Sequence, residues 1–216
     1  METLKPDNED RKIGVSEPKK VYILTEEREG KILNKFNTSI SELKSNISVP
    51  INCQSLLNRS CIVLAVSAMD FYIHEIVKYM ILVIFDGRAA KTPKYNDFIL
   101  SLQCVERAIK NPESLDWLEE EIFYRNSYKS FQRSEKIADA IKIIYGGKIW
   151  DEIAKKLQKE KKTIKAELDS IIELRDDIAH QDSSMIEEDN ESADTIRRIE
   201  FIEELINTVH SIIFAT

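Results

Sequence analysis

Residues 61–85 read CIVLAVSAMDFYIHEIVKYMILVIF, the most hydrophobic stretch of the chain. With the residues just before it, the run carries Leu57, Cys61, Leu64, Ala68, Phe71 and Tyr72 along one helical face. Val63, Val66, Ile73, Val77, Ile81 and Ile84 line the opposite face. A helix apolar on two sides belongs at the centre of a core or in an interface. The stretch is long enough to span a bilayer. Asp70, His74, Glu75 and Lys78 stand near its middle, however, and an Asp or Lys at that depth costs about 2.5 kcal/mol or more. The expected element is therefore the central helix of a soluble domain with no membrane contact, running from about Ser55 to Phe85 and stopping at Asp86-Gly87.

Working outward, Ile32, Leu33, Phe36, Ile40 and Leu43 recur at helical spacing between Thr25 and Ile47, with Thr25 placed to cap the start and Pro50 breaking the chain beyond. Residues 94–132 read as two or three shorter helices interrupted at Asn111-Pro112. Helices follow over Glu135–Tyr145, ending at Gly146-Gly147, and over Ile149–Leu157. Thr163–His180 is amphipathic, with Ile164, Leu168, Ile171 and Ile178 on one stripe. After an acidic loop, a last helix carries Ile196, Ile199, Phe201, Ile202, Leu205, Ile206 and Val209. Nothing alternates with period two for long, and no internal repeat is present. The expected architecture is all-α, a compact bundle of about five to seven helices over residues 25–216, preceded by a mobile polar arm over 1–24.

Composition agrees. Five Gly and five Pro among 216 residues fall well below the usual share of about 12%, too few for the turns of a β-sandwich or barrel. The net charge of −7 argues against a dedicated DNA-binding domain. Cys53, Cys61 and Cys104 form no Cys-x-x-Cys, and the first twenty residues lack the apolar core of a signal peptide, so a reducing cytoplasm is expected. Lys155, Lys156, Lys159, Lys161, Lys162 and Lys165 against Glu160 give a local charge of +5, either a solvated face or a track for a phosphate backbone. Asp182, Glu187, Glu188, Asp189, Glu191 and Asp194 give −6 after His180.

Familiar catalytic motifs are missing: no Walker loop, no G-x-G-x-x-G, no H-E-x-x-H and no G-x-S-x-G. Asp177-x-x-His180 resembles half of a bundle di-metal site, but Phe71 and Asn207 stand three residues before the other two histidines, so neither metal nor cofactor is expected. One residue breaks the local pattern. Position 175 falls in the middle of the stripe Ile164, Leu168, Ile171, Ile178, and it is Arg. An arginine aimed at a core needs a carboxylate or phosphate beside it. Asp70 sits within the stripe of Val63, Val66, Ile73 and Val77, equally misplaced, so the two charges are expected to meet. They would form either a structural ion pair or a device that aims Arg175 at a phosphate. His180 lies about 140° round the helix from Arg175. The two converge only if the helix ends or bends there, or if a second subunit supplies one of them.

Leu174-Arg175-Asp176-Asp177-Ile178-Ala179-His180 resembles the Arg-x4-6-His signature of the HEPN superfamily. Leu57-Asn58-Arg59-Ser60 leading to Ala68-Met69-Asp70-Phe71-Tyr72 resembles its first long helix. Phe131–Ile137, Trp150–Ala154 and Leu168–Ile172 resemble the RiboL-PSP-HEPN branch. The resemblance implies an all-α fold that forms a homodimer, with paired signature helices making a composite cleft. It further implies a metal-independent endoribonuclease, typically a toxin or effector of bacterial antiphage defence with a possible antitoxin or defence-system partner protein. On these residues, His180 would be the general acid/base, Arg175 the phosphate-binding cation and Asp70 its support. Asp176 would stand at the polar position where the family more often has Asn, adding negative charge beside the phosphate. RNA would be the substrate, with Lys155, Lys156, Lys159 and Lys162 as candidate backbone contacts. The competing expectation is a catalytically silent helical module that binds a partner protein or a nucleotide.

Overall fold

A computed structural model describes residues 26–48, 52–180 and 192–215. Thr25, the arm over 1–24 and the acidic run from Asp182 to Glu191 lie outside the described residues. Among those described there are eight α-helices, one short 3-10 turn over Lys94–Asp97 and no strand. The helices are α1 (Glu26–Ile47), α2 (Gln54–Phe85), α3 (Leu102–Lys110), α4 (Asp116–Asn126), α5 (Ser134–Ile141), α6 (Ile149–Leu157), α7 (Lys161–His180) and α8 (Ser192–Ile213). The count exceeds the expected range by one, with four short helices, α3 to α6, between residues 94 and 157. The helix expected over 135–145 stops at Ile141, where the carbonyls of Lys142 and Ile143 turn to the Thr92 hydroxyl at 3.1 and 2.8 Å.

α2 is the axis. Tyr72, Ile73, Ile76, Val77, Ile81 and Leu82 are buried right round its C-terminal half, as an element apolar on two sides requires. The one described helix long and apolar enough to cross a membrane is thus the central helix of the bundle. It ends in a Schellman cap. Arg88 N–H donates to Val83 O and Gly87 N–H to Ile84 O, both at 3.1 Å, with Gly87 at φ 79°.

α1 and α8 flank this axis. Ile32, Phe36, Ile40, Leu43 and Ile47 form the buried stripe of α1; Ile199, Ile202, Leu205, Ile206 and Val209 form that of α8. Polar pairs fix their register: Asn37 and Asn207 exchange amide hydrogen bonds at 3.2 and 3.3 Å, and Lys44 meets Glu203 at 2.6 Å. Tyr72 Oη lies 2.9 Å from His210 Nδ1. α4, α5 and α7 also pack on α2, and α6 packs against α7 and α8. Trp150 Nε1 donates to Ser134 O at 2.9 Å, and Asp169 accepts from the Ser134 N–H and hydroxyl, both at 3.3 Å. These bonds tie α5 and α6 to α7 and set the height of the α7 C-terminus against α2.

Candidate functional site

The buried stripe of α7 is Ile164, Leu168, Ile171 and Ile172, so the core ends one turn before Arg175. That residue stands at the rim with its side chain 28% exposed. The expected pair with Asp70 does not form. Asp70 accepts the N–H of Phe131 at 2.6 Å and lies 3.8 Å from His74 Nε2, one turn further along α2. Arg175 Nη1 donates instead to Asp176 Oδ1 at 3.1 Å. The physical reason is the connection between α4 and α5. It bonds α2 through Asp70 and α7 through Asp176, which accepts from Arg133 Nη2 at 3.1 Å, and so stands between the two charges expected to meet.

Asp176 therefore bridges two guanidiniums, holding Arg133 and Arg175 side by side. The local sum is one positive charge, not the added repulsion expected from an Asp at this position. Arg175 Nε is buried and has no hydrogen-bond partner, an uncommon state for a buried donor and one that an incoming oxygen would relieve.

Two pockets adjoin at Arg175, Lys129 and Gln132, which line both. The larger is a groove of about 900 Å³ along the α4–α5 connection and α5. Lys94, Lys129, Arg133, Lys136 and Arg175 line it against only Asp139 and Asp176. A net +3 in one groove of a chain carrying −7 overall is a marked concentration of positive field. The smaller pocket, about 470 Å³, lies between α2 and α4 and is lined by Asp70, Phe71, His74 and Phe123 among others.

The other predicted residues lie elsewhere. His180 is the exposed last residue of α7 and lines neither pocket. α7 runs unbroken to it, so regular helical geometry carries it about 7.5 Å along and 140° round from Arg175, and the two do not converge within one chain. Asp177 is also exposed. Lys155, Lys156, Lys159 and Lys162 are exposed on α6, the turn after it and the start of α7, away from the groove. Two of them are engaged: Lys156 donates to Ser211 Oγ at 2.8 Å, and Lys159 meets Glu204 at 2.9 Å. The cations of the groove other than Arg175 were missed from sequence. Their signal was three cations around one aromatic in eight residues, Lys129, Phe131, Arg133 and Lys136; Lys94 joins only through the fold.

Residues 27–215 match the RiboL-PSP-HEPN family over nearly the whole described bundle. The chain belongs to the RiboL-PSP-HEPN family. No curated protein and no solved structure matches it. HEPN domains are helical and generally ribonuclease-like, which suits an all-helical chain whose misplaced arginine opens onto a cationic groove.

Proposed function

We propose that this RiboL-PSP-HEPN chain is a metal-independent endoribonuclease acting as a homodimer. The observation that carries the reading is the groove: four cations share it with an arginine whose buried Nε is unpartnered, in a chain that is otherwise acidic. RNA supplies its own nucleophile, the 2′-OH, so the protein must supply a fixed cation and a group that moves protons near neutral pH. Arg175 offers a planar fork matched to phosphate oxygens as charge builds on phosphorus. His180 supplies the proton transfer. Because the two diverge within one chain, the cleft would be completed by His180 from a second subunit. Leu56, Leu64 and Phe71, 58%, 54% and 42% exposed on one face of α2, give such an interface apolar surface. Attack of the 2′-oxygen leaves a 2′,3′-cyclic phosphate and a 5′-OH.

A role as toxin or effector in antiphage defence, held by an antitoxin or defence-system partner in a reducing cytoplasm, fits this activity; all three cysteines are unpaired. A second reading, a silent module that binds a nucleotide or partner protein, is favoured by the position of His180 outside both pockets. Purified protein incubated with a fluorescent RNA in excess EDTA separates the two. His180→Ala should abolish cleavage, a loss of order 10²- to 10⁴-fold, and change stability by no more than about 0.5 kcal/mol because the residue is exposed. Parent and variant equally inactive on every RNA would favour the silent module. Equal activity of the two would contradict the role given to His180.

A further inference from the structure

Beside the groove, the pocket between α2 and α4 holds a histidine that the roles given above do not use. His74 lies inside that pocket with its side chain 22% exposed. Its orientation is set from two sides. The ring packs on Phe131 at 4.4 Å between centroids, tilted by 38°. Its Nε2 faces Asp70 Oδ1 at 3.8 Å, an ion-pair distance rather than a hydrogen bond. Asp70 is itself fixed by the Phe131 N–H at 2.6 Å. An imidazole oriented by an aromatic ring and a neighbouring carboxylate is held in place to exchange a proton with a group entering the pocket. The same pocket carries the exposed ring of Phe123, 66% accessible, and flat apolar faces of this kind stack nucleobases; the ring of Phe71 is already covered by the Lys35 ammonium, 4.2 Å from its centroid. Arg175 closes it on the side of the cationic groove.

We propose that this pocket is a nucleotide subsite: a base lies against Phe123, its ribose faces His74, and the following phosphate lies on Arg175. His74 thereby carries a proton-transfer role in the same subunit as the cation. The inference rests on the ribonuclease reading for its chemistry, though not for its binding claim. In the cleavage step the 2′-OH gives its proton to His74 while O2′ bonds to phosphorus. The P–O5′ bond breaks, and the leaving 5′-oxygen takes a proton from His180 of a second copy. His74 ends protonated beside Asp70, and water restores both groups between turnovers. Two histidines divide the two proton transfers, which a single exposed helix-end histidine would have to perform alone.

The test uses the full chain with labelled histidine side chains, following the imidazole signals by NMR as adenosine 3′-monophosphate or uridine 3′-monophosphate is added, with inorganic phosphate as control. The His74 signals, assigned by their loss in His74→Gln, should move saturably with either nucleotide and much less with phosphate. No movement at millimolar nucleotide, or equal movement with phosphate alone, overturns the subsite. In parallel, His74→Gln should keep the melting temperature of the parent, lose about 10²-fold or more in kcat on RNA and change KM little. Parental kcat in that variant overturns the proton-transfer role. If the parent cleaves no RNA, the ribonuclease reading and the proton-transfer role fall together, and the NMR titration still decides the subsite.

Discussion

At residue scale, Asp176 changes the reading most. Its carboxylate bridges Arg133 and Arg175, so it sets the spacing of two donors that a phosphate would meet. Asp176→Asn keeps the shape and removes one negative charge from a partly exposed site. RNA affinity at low salt should rise roughly fivefold, about 1 kcal/mol, as measured by anisotropy on a labelled RNA. Weaker binding would mean that the charge is needed to hold the arginines in place. Arg175→Ala is likewise revised. Paired with a buried Asp70 it would have cost about 3–5 kcal/mol. At a rim, beside a partly exposed carboxylate, it should cost about 1 kcal/mol or less while abolishing cleavage. A large fall in melting temperature would restore the structural role. The sequence marked Arg175 and Asp70 as charges out of place, which local periodicity exposes. It did not reveal that Asp70 bonds the Phe131 N–H, because that group comes from a connection 61 residues beyond it whose path depends on the packing of α4 and α5, which leaves Arg175 to its neighbour Asp176.

At the scale of elements, the long helices were legible, and so were α6 over Ile149–Leu157 and the break at Asn111-Pro112 that divides α3 from α4; the contacts of the short helices were not. α2, α7 and α8 declare themselves through sustained periodicity and clear stops. Gly87 is one such stop, and its positive φ means that Gly87→Ala should destabilise the protein by about 1 kcal/mol. Chemical unfolding checks this, and an unchanged midpoint would contradict it. The pieces over residues 94–157 are ordered by contacts that no local pattern announces. Glu121 is the example. Burial would raise its pKa, but the Ser101 hydroxyl, the Ser101 N–H and Arg125 outweigh it and hold the carboxyl below the usual value of 4.5. The stabilisation is thus present above pH 4.5 and lost as the pH falls through the lowered value. Glu121→Gln should flatten the acid side of the stability profile; an unchanged profile would show that the cluster contributes nothing. The lysine run belongs at this scale too. Neutralising Lys155, Lys156, Lys159 and Lys162 should leave the salt dependence of RNA binding nearly intact, whereas neutralising Lys129, Arg133 and Lys136 should flatten it. The reverse result would return the RNA path to α6.

For the whole molecule, the question is how two diverging residues make one site. If the cleft is shared, Arg175→Ala and His180→Ala are each inactive alone, yet mixing them regenerates one intact site per mixed dimer. Mixing Arg175→Ala with His74→Ala should regenerate none, because both remove the same half. The family and the all-helical fold were legible from pattern and motif. The groove was not, since a net +3 surface inside a net −7 chain arises only when Lys94 is brought to residues 129–136. The most direct test of the central claim is the chemistry of the ends produced from a defined RNA by the parent protein in excess EDTA. Ends bearing a 2′,3′-cyclic phosphate and a 5′-OH are expected. Cleavage that requires added divalent metal, or that leaves 5′-phosphate and 3′-OH ends, would contradict the account.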